Sequence, residues 1–183
     1  MTEAAWQAGT VTACAECGYE FDSLSSGDIL RELTSLAAEH ERLLSSVDAG
    51  RLRAHPLPAA WSALEYGCHV RDVLRFQRER VALAQAESTP RFASMRRDER
   101  AVEDRYNEQD PVVVAGELAA AARLLAASLK ALDTAGWQRT GVYPWPAPEV
   151  HTVAWIGRRT AHELAHHLFD CRRLLAQQPD EAG

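Results

Sequence analysis

The chain of 183 residues lacks several features that would mark a membrane-bound or nucleic-acid-binding protein. Lys130 is its only lysine, and its formal net charge is −6. An acidic chain is a poor candidate for binding nucleic acid, because contacts to phosphate need a basic surface. No apolar run approaches the roughly 20 residues of a membrane span, and the N-terminus lacks the basic start and apolar segment of a signal peptide. We therefore expect a cytoplasmic protein with neither a nucleic-acid nor a membrane partner.

Cysteine is also scarce, with four residues in the chain: Cys14, Cys17, Cys68 and Cys171. Structural disulfides are not expected in a cytoplasmic protein. Cys14 and Cys17 form a CxxC motif followed by glycine, which is half of a typical four-ligand zinc site. The chain has no second pair of this kind, so the sequence allows two interpretations of the motif: part of a second metal site, or a redox pair. Cys68 and Cys171 are expected to be small buried side chains.

The spacing of apolar residues predicts four long helices, no convincing strand and two long connections. The expected helices span about 28–48, 61–86, 111–135 and 150–177. Together they predict an all-α fold, a four-helix bundle with long connections. The expected organisation is an N-terminal extension with the CxxC motif (1–27), the bundle (28–177) and a short C-terminal tail (178–183).

Two helix starts carry clear local signals. Ser62, followed three residues later by Glu65, has the spacing of a capping box. Asp110 before Pro111 combines a capping side chain with proline at the first helical position. The stretch before the last helix, QRTGVYPWPAPE, is too rich in proline for a central strand.

The last predicted helix contains HELAHH, which has metal-binding residue types at helical spacing. On a helical wheel His167 falls within the apolar stripe, with Glu163 on its flank and Asp170 one turn further along that edge. His162 and His166 fall among arginines on the opposite face, which predicts that they point to solvent. Residues four apart lie on one helix face, so Glu163 and His167 could chelate one ion. The alternative is an ordinary polar helix face.

A third ligand must come from another helix, and His69 in EYGCHVRD is the candidate. His69 shares a face with Glu65 and Asp72, and a neighbouring carboxylate such as Glu65 could orient the imidazole. A single histidine on an apolar face is more often a core residue, which is how we interpret His40.

Four segments resemble the DinB-like (DinB/YfiT-like) superfamily of bacterial metalloproteins. They are WSALEYGCHVRD, RYNEQDP, GWQRTG and HELAHHLFD, in that order along the chain. The resemblance covers about residues 28–176 and leaves the CxxC extension outside. It implies a four-helix bundle, a homodimer and a divalent ion, most often zinc or nickel.

The resemblance also implies a set of metal ligands. These would be His69, Glu163 and His167. In the thiol-dependent maleylpyruvate isomerase branch the last helix carries Glu and His followed by an aspartate, which here matches Asp170. Other branches use two histidines, which would make His162 and His166 the alternative pair.

Three protein ligands leave a metal one open position, as in catalytic sites. Relatives of this kind use a low-molecular-weight thiol such as mycothiol or bacillithiol, and the arginine- and alanine-rich composition favours a high-GC bacterium and mycothiol. We expect a thiol S-transferase or isomerase acting on a small electrophile, with Tyr143 and Trp145 lining the substrate entrance. The alternatives are a metal-dependent hydrolase and a non-catalytic dimeric stress-response module. Dependence on added thiol would separate the two enzymes.

Overall fold

The computed structural model describes residues 13–20, 23–57 and 60–178. Within them the chain forms seven helices: α1 (Ser26–Ser46), α2 (Ala49–Arg53), α3 (Ala63–Ala86), α4 (Arg97–Glu103), α5 (Pro111–Lys130), α6 (Thr134–Gln138) and α7 (Val153–Ala176). A 3-10 turn (Tyr106–Glu108) precedes α5, and two short strands, β1 (Thr140–Tyr143) and β2 (Glu149–Thr152), precede α7. Most of the tail predicted at 178–183, and residues 1–12 of the predicted extension, lie outside the described residues.

The four long helices α1, α3, α5 and α7 form a four-helix bundle, as the sequence predicts. Helix α5 packs between α1 and α3 on one side, and α7 packs between the same two helices on the other. Helices α1 and α3 are therefore diagonal to each other, although they follow one another in the chain. This arrangement places α3 and α7, which carry the predicted ligands, side by side.

The bundle is held by a continuous apolar core to which every long helix contributes. Its largest fully buried side chains include Ile29, Leu33, Leu44, Leu64, Leu74, Leu118, Leu125, Ile156 and Leu164. Gly67 marks a close approach between α1 and α3, because a Cβ atom there would lie 2.8 Å from a methyl carbon of Leu44. Burial of such side chains is the main driving force for packing the helices together.

Both predicted helix caps are confirmed. The Ser62 hydroxyl accepts a hydrogen bond from the backbone N–H of Glu65, and the Glu65 carboxylate accepts one from the backbone N–H of Ser62. The Asp110 carboxylate accepts hydrogen bonds from the N–H groups of Val112 and Val113, with Pro111 in the first turn of α5. These contacts satisfy backbone donors that have no partner within the helix.

The expectation of no convincing strand is wrong, because two short strands form beside the proline-rich stretch. Strands β1 and β2 pair in antiparallel register, with Thr140 opposite Thr152 and Tyr143 opposite Glu149. The prolines that argue against a strand lie in the turn between the two, where no ladder hydrogen bond is required of them. The loop predicted after α1 contains a short helix, α2, and α4 forms the short helical stretch within the polar connection before α5.

The expectation that no apolar segment approaches membrane-spanning length is also wrong. Helix α5 is long and apolar enough to cross a membrane by length and composition, with a mean hydropathy of 1.7. One such helix is weak evidence for a membrane span, since the core helix of a soluble protein passes the same test. Here α5 packs along both α1 and α3 with its Leu118 and Leu125 side chains buried.

Candidate metal centre

His69 on α3 meets Glu163 and His167 on α7, the two residues that the helical wheel directs towards the bundle interior. Each of the three residues is at most 9% exposed, and one ligand atom from each lies within 4.8 Å of the other two. The Glu163 Oε2 atom lies 3.7 Å from His69 Nε2 and 3.5 Å from His167 Nε2. Two imidazole nitrogens thus converge on one carboxylate oxygen. We call these residues the three-residue centre.

The separations in the three-residue centre fit a divalent ion such as zinc. Nitrogen and oxygen ligands bind zinc at about 2.0–2.1 Å, so two of them at a tetrahedral angle lie about 3.4 Å apart. The observed separations of 3.5 and 3.7 Å are close to this value. Two imidazoles and one carboxylate are also the donor types that zinc, nickel and iron accept.

The charges around the centre keep the carboxylate ionised. Burial alone would raise the pKa of Glu163, but the Arg159 guanidinium and the two neighbouring imidazoles hold it well below its ordinary value. Arg159 Nη2 lies 2.9 Å from Glu163 Oε1, the oxygen that faces away from the imidazoles. Arg159 therefore fixes one carboxylate oxygen and leaves the other directed at the histidines.

Asp170 orients the imidazole of His167. The His167 Nδ1 atom lies 3.1 Å from Asp170 Oδ2, so Nδ1 donates to the carboxylate and Nε2 is left to face Glu163. Burial would lower the pKa of His167, but Asp170 and Glu163 together raise it to about 9. A carboxylate behind a ligating histidine is the usual arrangement in metal centres, where it fixes the ring and increases its basicity. Asp170 thus lies beside His167, and its role behind a metal ligand stays a prediction.

Aromatic rings enclose the two histidines. Trp61 packs edge-on against His69 with ring centroids 5.2 Å apart, and Tyr66 stacks on His167 at 4.9 Å. Burial lowers the pKa of His69, which favours the neutral imidazole that a metal requires. Glu65, expected as the carboxylate that orients His69, has another role. It closes the capping box of α3 and binds His55 Nε2 at 2.8 Å.

A cavity of about 280 Å³ leads to the three-residue centre. His69 and Glu163 lie in its wall, together with Arg159, Tyr143 and Trp145. The two aromatic residues thus occupy the position expected of them from the sequence. The Tyr143 hydroxyl accepts a hydrogen bond of 3.3 Å from Arg159 Nε, which connects the hairpin to the charge network of the centre.

The prediction that His162 and His166 point to solvent is wrong. His162 is 4% exposed, and the His166 side chain is 21% exposed. The reason is that residues 13–20 of the N-terminal extension cover this face of α7, which the periodicity of the helix itself does not reveal. Cys14 Sγ lies 3.6 Å from His166 Nδ1, and the Tyr19 ring packs 6.2 Å from the ring of His162.

Arg159 belongs to the surroundings of the three-residue centre, although the sequence does not predict it there. It is one of the arginines that the wheel places beside His162 and His166 on the solvent face, whereas in the structure it is 6% exposed. Its guanidinium carbon lies 5.5 and 5.7 Å from the rings of Tyr143 and Trp145, which belong to the hairpin that was not predicted. A third ring, that of Trp155 on α7 itself, lies 5.9 Å away. The spacing of Arg159 and Glu163, four residues apart, was the only available signal for this pair.

The RYNEQDP segment has a structural role beside α3. The Tyr106 hydroxyl donates a hydrogen bond of 2.7 Å to Asp72, whose carboxylate also binds the Arg71 guanidinium through two nitrogens. Arg71 in turn donates to Gln109 at 2.7 Å. The segment therefore satisfies a buried ion pair on the helix that carries His69, and it adds no ligand to the centre.

Known structures share this fold. YfiT from Bacillus subtilis, described as a probable metal-dependent hydrolase with an unusual four-helix bundle topology, is 18% identical, with a TM-score of 0.74 over 85% of this chain and 89% of YfiT. The mycothiol-dependent maleylpyruvate isomerase is 17% identical, with a TM-score of 0.68 over 82% of this chain. The match spans only 62% of the isomerase. Comparison with curated proteins finds no match.

A family model settles the relationship that the resemblance implies. The model of the DinB superfamily matches residues 32–169, which include the three-residue centre and exclude Cys14 and Cys17. Because the match covers well over half of the chain, this protein belongs to the DinB superfamily.

Proposed function

We propose that this protein is a metal-dependent enzyme that uses a low-molecular-weight thiol, such as mycothiol, to transfer or isomerise a small electrophile. One observation carries the proposal: the three-residue centre is buried at the wall of a cavity of about 280 Å³. Three ligands leave a divalent ion one open position, and His69 and Glu163 both line the cavity from which a substrate would reach it.

A divalent ion in this position would stabilise the thiolate form of a bound thiol, which is the nucleophilic form. The chain's own residues would hold the parts in place. Arg159 and Asp170 keep Glu163 and His167 in their orientations, through contacts of 2.9 and 3.1 Å. Trp61 shields the centre on the side of α3 by packing against His69.

The cavity wall would select for a small and at least partly polar substrate. Tyr143 and Trp145 offer aromatic surface, while Arg80 and Arg159 place positive charge beside them. The Arg80 guanidinium carbon lies 4.5 Å from the centroid of the Tyr143 ring, so the cation is held against the aromatic wall.

Hydrolysis is the second candidate function, because YfiT, the neighbour with a TM-score of 0.74, is described as a probable metal-dependent hydrolase. The same three ligands would then hold an ion that activates water. The two functions differ in one requirement, since hydrolysis needs no added thiol.

The test is an activity screen on untagged protein loaded with zinc or nickel. Maleylpyruvate and a reactive bimane are offered with and without mycothiol, and nitrophenyl esters are offered without thiol. Turnover that needs both the ion and mycothiol is the expected result. Thiol-independent ester cleavage would favour the hydrolase, and inactivity in all assays of metal-loaded protein would favour a non-catalytic module.

Two variants make the screen specific to the centre. His69→Ala removes a ligand and is expected to abolish turnover, whereas His55→Ala removes a histidine outside the cavity wall and is expected to leave it unchanged. Equal loss in both variants would contradict the assignment of the three-residue centre.

Three further properties belong to the same proposal. We expect zinc or nickel as the ion, a cytoplasmic location and a homodimer. Helix α5 presents Val112, Val113 and Leu124 at 50–65% exposure, an apolar surface available for pairing. Analytical ultracentrifugation would report the dimer, and a monomer at all concentrations would remove this part of the proposal.

A further inference from the structure

A second group of metal-binding side chains lies on the other face of α7. Cys14 and Cys17 of the N-terminal extension meet His162 and His166, and one ligand atom from each lies within 4.8 Å of all the others. We call these residues the four-residue cluster. It shares no residue with the three-residue centre, and its two cysteines lie outside the part of the chain that matches the superfamily.

The cluster joins two motifs that are each half of a zinc site. CxxC supplies two sulfur atoms, and HxxxH supplies two imidazoles on one helix face, since residues four apart are neighbours there. Two thiolates and two imidazoles make up one of the common ligand sets of structural zinc. Carboxylates are not needed to complete it.

The separation between a sulfur and a nitrogen of the cluster fits such a site. Sulfur binds zinc at about 2.3 Å and imidazole nitrogen at about 2.0–2.1 Å, so the two lie about 3.6 Å apart at a tetrahedral angle. Cys14 Sγ and His166 Nδ1 are 3.6 Å apart.

The extension is shaped to bring its two thiols together. The Cys14 N–H donates to the Tyr19 carbonyl at 2.9 Å, and the Gly18 N–H donates to the Cys14 carbonyl at 2.8 Å. Gly18 has φ of 72°, a conformation that glycine adopts without strain, and it closes the turn between these partners. The result is a tight loop with both sulfur atoms near α7. Neither cysteine is in a disulfide.

The other imidazole nitrogen of His166, Nε2, faces two carboxylates. His166 Nε2 lies 3.5 Å from Glu16 Oε2 and 3.6 Å from Asp170 Oδ2. With Nδ1 directed at Cys14, these carboxylates can accept the proton on Nε2 and fix the ring, as partners of ligating histidines do. Asp170 thus lies between the two groups, since its Oδ2 atom also accepts from His167 Nδ1.

We propose that Cys14, Cys17, His162 and His166 bind a structural zinc ion that fastens the N-terminal extension to α7. Four protein ligands close the coordination sphere, which distinguishes this ion from one in the three-residue centre. The ion would join Cys14 and His166, which are 152 residues apart in the sequence. It would thereby hold the extension over a face of α7 that the other bundle helices do not cover.

The test counts metal and identifies its ligands on untagged protein purified with reductant. Plasma mass spectrometry of zinc-reconstituted protein is expected to give two zinc ions per chain. Cys14→Ser and Cys17→Ser are each expected to lose one ion and to retain the other. Cys68→Ala is the matched control, because it removes a buried thiol that contacts Tyr106 and Gln109 instead, and it is expected to retain both ions.

Cobalt replacement reports sulfur ligation directly. The cobalt protein is expected to show a thiolate-to-metal charge-transfer band that is lost in Cys14→Ser and retained in His69→Ala. Cys17→His keeps four ligands, so it is expected to retain the ion with a weaker charge-transfer band. Circular dichroism of each variant reports whether the bundle is still folded.

Protease sensitivity tests the fastening role. Removing the ion with a chelator is expected to speed chymotrypsin cleavage after Tyr19 by at least tenfold in the wild type, with no further change in Cys14→Ser. A cobalt spectrum without a thiolate band would overturn the proposal. So would loss of the second ion in Asp170→Asn and His166→Ala but not in the cysteine variants. A Cys14–Cys17 disulfide in protein that binds only one ion would overturn it as well.

Discussion

His166 and His167 are consecutive residues of α7, yet their rings lie at 80° to each other and face different partners. His166 Nδ1 lies 3.6 Å from Cys14 Sγ, whereas His167 Nε2 lies 3.5 Å from Glu163 Oε2. A step of about 100° around the helix separates neighbouring side chains, so one short stretch can serve two faces. The HELAHH segment therefore contributes to two groups of donor atoms.

The first prediction compares His166→Ala with His167→Ala. Each variant is expected to lose one of two zinc ions, because His166 lies in the four-residue cluster and His167 in the three-residue centre. The cobalt form tells the two losses apart, since the thiolate charge-transfer band should disappear only in His166→Ala. Loss of the band in His167→Ala instead would mean that the assignment of the two histidines is reversed.

The second prediction concerns Asp170. Asp170→Asn is expected to weaken zinc binding at the three-residue centre by about 10–100-fold, because His167 loses the carboxylate that orients it. A competition titration with a chromophoric chelator would measure the change. Arg172→Gln is the matched control, since Arg172 lies on the same helix and its exposed side chain binds Glu39. Equal weakening in both variants would argue against a specific role for Asp170.

The third prediction concerns the buried ion pair beside α3. Asp72→Asn is expected to lower the free energy of unfolding by about 3 kcal/mol, because it leaves the Arg71 guanidinium buried without its main partner. Tyr106→Phe should cost less, about 1–2 kcal/mol, since it removes one hydrogen bond of 2.7 Å. Urea denaturation would measure both, and a smaller effect for Asp72→Asn than for Tyr106→Phe would contradict this account.

The same ion pair predicts how stability depends on pH. Burial alone would raise the pKa of Asp72, but hydrogen bonds from Arg71 and Tyr106 and the arginine charge lower it overall. A lowered pKa in the folded state stabilises the fold above the unfolded value of about 3.9, and this stabilisation declines as pH falls below about 4. The free energy of unfolding of Asp72→Asn should therefore fall less steeply than that of the wild type between pH 5 and pH 3, as urea titrations at each pH would show.

The fourth prediction uses two glycines in helices. Gly67→Ala is expected to lower the free energy of unfolding by about 1–3 kcal/mol, because the new Cβ would lie 2.8 Å from the buried Leu44 side chain. Gly116→Ala meets nothing within 4 Å on an exposed helix face, so it should stabilise the protein by about 0.5–1 kcal/mol. Thermal unfolding of the two variants would show opposite shifts. Destabilisation by Gly116→Ala would mean that helix propensity does not govern that position.

The periodicity of α7 correctly predicted which residues face the bundle core, but not the surroundings of the residues on the opposite face. It correctly directed Glu163 and His167 towards α3, because an apolar stripe must face the bundle. It failed for Arg159, His162 and His166, since their surroundings come from the hairpin and the N-terminal extension. A helical wheel assigns every face away from the core to solvent. It therefore fails where a segment distant in the chain covers such a face.

Glu65 shows a related limit of reasoning from spacing. The same residue was expected both to close a capping box and to orient His69, and spacing along α3 allows either. In the structure the carboxylate binds the Ser62 N–H and His55. A backbone donor three residues away is always within reach, whereas a partner on a neighbouring helix depends on how the helices pack.

By itself, the sequence determined the four long helices, their caps and the inward position of Glu163 and His167, because these follow from local spacing and from the need to bury apolar side chains. It also contained both halves of the four-residue cluster, CxxC and HxxxH, without showing that they meet. Only the tertiary structure decided that Cys14 and His166, 152 residues apart, are neighbours and that Arg159 holds Glu163. Contacts between segments so far apart depend on how the helices and loops pack, which periodicity along one element does not encode.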